Sequence, residues 1–229
     1  MAESNQFGVL YGILQRFQKA GILQDLMLVG SWCLHFYRIE FKNSDEIPAV
    51  RTMDADFLIP NIYQLKKECN VAQILKEEGF LPSHNRESGL VKYDHPELRI
   101  EFLVPELGRG HDNPLEVKKL GINAQGLRYL NFLTDYPKII SYRDMRIKVP
   151  EPAAFALHKF IISGRRLNKE KAKRDLEMAV GLLEFLYEKP REVARIKSIL
   201  RDIPAKWRKS ILLVSNKCFP NLNDTAKKL

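Results

Sequence analysis

The sequence predicts an α+β chain in two parts: strands mixed with helices up to Pro150, then helices alone. Three observations carry this. Apolar runs such as "DADFLIP" and "LRIEFLVP" alternate with the two-residue period of half-buried strands. From Glu151 onward, apolar residues recur every three or four positions in segments joined by short polar stretches. The length of 229 residues suits one large domain or a larger domain with a smaller partner. The change of texture places the boundary between residues 149 and 150, giving domains 1–149 and 150–229.

The elements follow in order. Residues 6–20 carry apolar side chains at helical intervals, and Gly21 is a stop signal. A strand at 26–30 runs into Gly30-Ser31, and a helix near 31–38 follows. The polar stretch "KNSDEIPAV" reads as a loop. A strand at about 54–59 ends at Pro60, and a helix is expected over 61–79, closed by Gly79. "GLVKYDHPELRIEFLVP" reads as a hairpin turning around "DHPE", with Pro105 ending its second strand. Residues 106–121 read as a loop, and 129–150 as further short strands. Four helical patterns complete the chain, over 151–166, 168–189, 191–203 and 205–216. There is no internal repeat or low-complexity segment.

Composition narrows the function classes. A hydrophobic content of 45% and charged content of 28% are those of a soluble globular protein. Cys33, Cys69 and Cys218 have no CxxC spacing and cannot all pair, which fits a reducing compartment. The first residues lack the basic and apolar pattern of a secretory signal, and no apolar run approaches a membrane span. The expected location is the cytoplasm, with no membrane partner. A net charge of +9 and a pI near 9.4 favour an anionic partner, nucleotide or nucleic acid.

The chemistry-bearing residues start with "RTMDADFLIP". Along a strand, Asp54 and Asp56 point to one face while Ala55, Phe57 and Ile59 point to the core. Two carboxylates about 7 Å apart suit a hard divalent cation that takes oxygen ligands and keeps positions for phosphates. In "LRIEFLVP", Ile100, Phe102 and Val104 form the apolar face, and Arg99 and Glu101 share the other. If the two strands are neighbours, Glu101 completes the site. Gly30 lets phosphate oxygens approach the backbone, and the helix after Ser31 would offer free N–H groups. Taken singly, these pieces also fit a plain turn, a solvated strand face and a surface ion pair. Their order supports the functional alternative.

That order resembles the DNA polymerase β-like nucleotidyltransferase superfamily: Val29-Gly30-Ser31, then Asp54-Ala55-Asp56, then Glu101. "RIEFLVP" and "VPEPAAFALHKFIISGRRLNKEKAKRDLEMAVGLL" are similar to bacterial stand-alone members with a helical carboxyl-terminal part. The resemblance spans roughly residues 25–188. It implies a small mixed β-sheet with flanking helices, followed by a C-terminal helical bundle. It also implies transfer of a nucleoside monophosphate from an NTP such as ATP to an acceptor, with Mg²⁺ or Mn²⁺. Two departures stand out: a long gap between Ser31 and Asp54, and glutamate at 101 where aspartate is usual.

On a helix over 151–166, Lys159, Ser163 and Arg166 form one row, a solvated basic face or a triphosphate contact. By resemblance Lys159 is the phosphate contact, with Arg166 and Lys173 beside it. Asp175 orients a basic residue, touches the nucleotide or makes a plain helix-surface ion pair. His35 and His158 have no ligand spacing and read as structural, Trp32 and Trp207 as packing, and Met53 as core. The resulting expectation is in-line transfer: Gly30 and Ser31 on the triphosphate, with Asp54, Asp56 and Glu101 on the metal. RNA such as tRNA, a protein, a small molecule or another nucleotide all remain open as acceptor. The alternatives are a non-catalytic nucleotide- or RNA-binding module and the toxin half of a toxin–antitoxin pair, held by a partner protein.

Overall fold

A computed structural model describes residues 2–42, 44–49, 52–106 and 113–227. The chain divides into two compact units, Met1–Phe36 with Arg51–Pro150, and Tyr37–Val50 with Glu151–Leu229.

The first unit opens with α1 (Ala2–Ala20), whose Leu10, Ile13, Leu14 and Phe17 form a buried helical stripe. Gly21 ends it at φ +75°, a left-handed conformation that glycine adopts without Cβ strain. β1 (Met27–Val29) leads to α2 (Trp32–Glu40), then β2 (Asp54–Leu58). α3 (Val71–Glu77), β3 (Leu81–His84), β4 (Val91–Asp94) and β5 (Arg99–Pro105) follow. β6 (Leu115–Val117), β7 (Ile122–Leu127), α4 (Leu130–Thr134), β8 (Pro137–Tyr142) and β9 (Met145–Pro150) complete it.

Seven strands form one mixed sheet in the order β1-β2-β5-β4-β3, with β7 pairing β5 further along and β6 pairing β7. β1 runs antiparallel to β2, whereas β2 and β5 are parallel, with Asp54 opposite Arg99 and Asp56 opposite Glu101. One sheet face carries Phe57, Phe102 and Tyr93, with Phe57 and Phe102 stacked at 6.0 Å between ring centres. Phe17 of α1 packs edge-on to Phe57 at 5.3 Å, so α1 covers this face. β8 and β9 form a separate two-stranded hairpin.

The helix expected over 61–79 shortens to α3. Asn61 caps a single 3-10 turn at Ile62–Gln64. The Lys66 amide then donates to the Asp25 carboxylate at 2.9 Å and the Cys69 amide to the Lys119 carbonyl at 2.9 Å. Those tertiary bonds take the donors a helix would use, and Asn70 restarts the helix by accepting from the Gln73 amide. Of the loop expected over 106–121, residues 107–112 lie outside the described residues, and β6 and a 3-10 turn at Lys118–Leu120 occupy the rest. The short strands expected over 129–150 begin instead with a helix, α4, which buries Leu130, Phe132 and Leu133.

The second unit is helical: α5 (Pro152–Ser163), α6 (Lys169–Tyr187), α7 (Pro190–Asp202), α8 (Ala205–Ser215) and α9 (Asn221–Lys227). The four expected helices form, and α9 is an addition. Pro152 and Pro190 stand in the first turns, where a missing N–H costs nothing. α5 packs against α6, α7 and α8 and is buried almost all round, as a central helix must be. Arg195 grips Glu151 with two bonds of 2.5 and 2.8 Å, fixing α7 to the start of α5. Residues 43 and 50 of the expected loop lie outside the described residues; within the rest, Ile47 is fully buried and Arg38 binds Asp45 at 2.9 Å. Among the described residues no helix is long and apolar enough to cross a membrane, and Cys33, Cys69 and Cys218 form no disulfide.

Candidate functional site

β2 and β5 present their polar residues on the sheet face opposite the phenylalanines. Ala55 and Phe57 are buried in the core, and the strand period turns Asp54 and Asp56 the other way. On β5, Ile100 and Phe102 are buried and Glu101 shares the face of the aspartates. The register sets Glu101 directly beside Asp56, about 4.8 Å away across parallel strands. Asp54, Asp56 and Glu101 thus share one face of two adjacent strands.

β1 adds Gly30 to this face. Val29 pairs with Asp56, so the chain leaves β1 beside that carboxylate. Gly30 turns at φ +74°, and a Cβ there would overlap Asp56 Oδ2. Both features demand glycine. Ser31 follows, and the Cys33 and Leu34 amides donate to the Gly30 and Ser31 carbonyls at 3.2 and 3.0 Å, opening α2.

The acids are flanked by cations. Lys92 Nζ donates to Glu101 Oε1 at 2.6 Å. Arg99 binds Asp94 at 2.5 Å and reaches Asp54 at 3.8 Å. The hydrogen bond to Asp94, aided by Asp54 and Glu101, raises the guanidinium pKa above its ordinary value against a smaller loss from burial. Among the described residues no three His, Cys, Asp or Glu side chains converge as metal ligands do. The donor set still fits a hard divalent cation, being all carboxylate oxygen on adjacent strands. Its side chains adopt the charge-paired arrangement, with Glu101 turned onto Lys92.

A family model described as Nucleotidyltransferase matches residues 9–198, most of the chain. The chain belongs to this nucleotidyltransferase family. A comparison with curated proteins finds no match. Among solved structures, an antigenic nucleotidyltransferase-like protein from Paracoccidioides brasiliensis is similar at a TM-score of 0.49 and 12% identity, over 96% of this chain and 92% of that one. The antibiotic-resistance factor ANT(2'')-Ia is similar at 0.40 and 9% identity, over 100% and 92%. A tRNA nucleotidyltransferase is similar at 0.26 and 19% identity, over 93% and 62%. These scores are low, and the family assignment rests on the family match.

The remaining expected residues of this nucleotidyltransferase lie in the helical unit. Lys159 is buried on α5, its Nζ 2.6 Å from Asp175 Oδ1 and 5.3 Å from the centre of the Phe155 ring. Arg166 Nε binds the other oxygen of Asp175 at 2.8 Å. Lys159 and Arg166 therefore meet at one buried carboxylate, and Asp175 orients both. Lys173 is not part of this cluster; it is 79% exposed and 3.8 Å from Glu177.

Sequence reasoning missed Lys92. The β4–β5 register pairs Tyr93 with Ile100, which sets residue 92 opposite 101, so a hairpin register was the available signal. Trp32, read as packing, is buried as expected, and its indole N–H has no hydrogen-bond partner among the described residues. Met53 is a correction: it is 45% exposed, not core. Its carbonyl accepts from the Arg99 amide at 2.6 Å, so the backbone joins the sheet edge while the side chain stays outside.

Proposed function

We propose that the chain transfers a nucleoside monophosphate from an NTP to an acceptor hydroxyl. The supporting observation is the register that sets Asp56 beside Glu101, with Gly30 against the Asp56 carboxylate. The acceptor oxygen attacks the α-phosphorus, the bond to the bridging oxygen breaks, and pyrophosphate leaves. Glu101 takes the acceptor proton. Gly30 admits the phosphates to the backbone, and Ser31 with the start of α2 donates to their oxygens. Asp54, Asp56 and Glu101 would hold Mg²⁺ or Mn²⁺, which supplies positive charge where the phosphate charge is greatest. For the acids to bind metal, Lys92 must leave Glu101.

The test uses α-labelled ATP, GTP, CTP and UTP with Mg²⁺ or Mn²⁺ and candidate RNA, protein and small-molecule acceptors. Label transferred by the wild type and lost in Asp54→Asn/Asp56→Asn supports the proposal. Equal transfer by the double variant removes it. The Lys92–Glu101 pairing favours a second reading, a metal-independent nucleotide-binding module. That reading predicts nucleotide binding undiminished by chelator and no transfer by either protein.

A further inference from the structure

The charge of the chain is unevenly divided. Met1–Phe36 with Arg51–Pro150 carry 17 Lys and Arg against 16 Asp and Glu. Tyr37–Val50 with Glu151–Leu229 carry 20 against 12, so almost all of the net +9 lies in the helical unit. In the first unit some cations rest on carboxylates, among them Arg16 on Glu77 and Glu78, Lys92 on Glu101, Arg99 on Asp94 and Arg128 on Glu106.

The outer face of α7 and α8 is different. Ile211 and Ser215 turn into the bundle and are fully buried. Lys206, Lys209 and Leu213 run along the opposite side of α8 at i, i+3 and i+7, and Lys217 follows in the turn just past its end, all exposed. Lys197 and Arg201 stand one turn apart on α7, and Arg208 ties α8 to α7 by donating to the Leu200 carbonyl at 3.0 Å. Among the described residues none of Lys197, Arg201, Lys206, Lys209 and Lys217 makes an ion pair. Four of these, Arg201 onward, lie past residue 198, where the family match ends.

Like charges in a row repel and weaken the helix that carries them, a cost that a polyanion reverses. From Lys206 to its end at Ser215, α8 rises about 13 Å. That span covers about four nucleotides of a strand at 3.4 Å each, too long for one nucleotide. A protein partner is disfavoured, because protein interfaces concentrate apolar and aromatic groups and exclude lysine, whereas Leu213 is the lone apolar residue of this stripe. A membrane surface is disfavoured too, since the apolar side of α8 is spent inside the bundle.

We propose that the outer face of α7 and α8 binds the phosphate backbone of a polynucleotide and, resting on the transfer reading above, that this polynucleotide is the acceptor. Binding is measured first, on the full chain without NTP or metal, by fluorescence anisotropy with labelled single-stranded RNA and DNA across a salt series. The wild type should bind, with log affinity falling against log salt at a slope of about −3, from about 0.7 per phosphate contacted. Lys206→Gln/Lys209→Gln/Lys217→Gln should bind at least tenfold more weakly with a slope shallower by about 2. These exposed neutral changes should leave the circular dichroism spectrum and thermal midpoint unchanged, and Lys206→Glu alone provides a second variant. RNA binding tighter than DNA, or the reverse, identifies the source of the backbone. Unchanged affinity and slope in the triple variant overturn the surface, as does polyglutamate competing as well as RNA. The acceptor assignment is read separately. Asp54→Asn/Asp56→Asn should bind RNA as the wild type does yet label none, whereas the lysine variant should label at high RNA and fail at low RNA. Polynucleotide bound by the wild type but never labelled overturns the acceptor assignment.

Discussion

Gly30 and the carboxylate of Asp56 occupy adjoining space so closely that a methyl group on Gly30 would overlap Asp56 Oδ2. Gly30 also holds φ at +74°, where an L-residue is strained by about 1–2 kcal/mol. Gly30→Ala should therefore lower stability by at least that strain and displace the Asp56 side chain. Urea unfolding would read the first effect and the label-transfer assay the second. A fully stable and fully active variant would contradict the geometry.

Lys92 holds Glu101 at 2.6 Å in the charge-paired arrangement. Lys92→Ala should free that carboxylate and strengthen Mn²⁺ binding severalfold, measured by titration calorimetry. Metal binding no tighter than in the wild type would mean that Lys92 does not compete with the cation.

Asp175 is the shared partner of Lys159 and Arg166, with a side chain only 4% exposed. Asp175→Ala should destabilise the fold by about 3–5 kcal/mol, because it leaves the Lys159 ammonium buried without a counter-charge. Adding Lys159→Met should recover much of that loss in urea unfolding. Two changes whose costs simply add would show that the pair is not coupled.

His158 is pushed from 6.5 down to about 3, chiefly by burial and then by the neighbouring Lys159. The native imidazole is thus neutral, while the unfolded chain takes up a proton below about pH 6.5. Its contribution is complete above that pH and is lost as the pH falls towards 3, by at most about 1.4 kcal/mol per pH unit. The stability gap between the wild type and His158→Gln should shrink between pH 7 and pH 5. A gap independent of pH would place the imidazole in contact with solvent.

Gly181 lies within α6, where alanine is ordinarily better by about 1 kcal/mol. A Cβ there would stand 2.5 Å from Pro48 Cγ, on the Tyr37–Val50 segment of the same unit. Gly181→Ala should therefore destabilise despite its helix propensity. A raised thermal midpoint would show that Pro48 yields freely.

The acidic face was legible because β2 and β5 are short and bounded by proline and alternate over their first residues, and Gly30-Ser31 falls between β1 and α2. β3 was not legible, since all four of its residues are exposed and it carries no buried–exposed alternation. The missing first half of the 61–79 helix depends on Asp25 and Lys119, distant in sequence, which capture its amides. Lys159 and Arg166 do not share a helical row, since α5 ends at Ser163 and Arg166 lies beyond it, and burial of α5 on every side depends on three packed helices that periodicity does not describe. Lys92, the partner of Glu101, follows from the hairpin register, which a turn read only as "DHPE" leaves unset.

The Tyr37–Val50 segment groups with residues made more than a hundred positions later. On the ribosome, Ile47 and Pro48 emerge long before α6 exists to receive them. Until then this stretch waits with its apolar side chains uncovered, a high-contact-order step of the kind that slows folding and invites misassociation. A nascent chain halted near residue 150 would hold every strand of the sheet yet leave this insert without its native cover. Synthesis of the final helices thus governs when an early part of the molecule can reach its native packing.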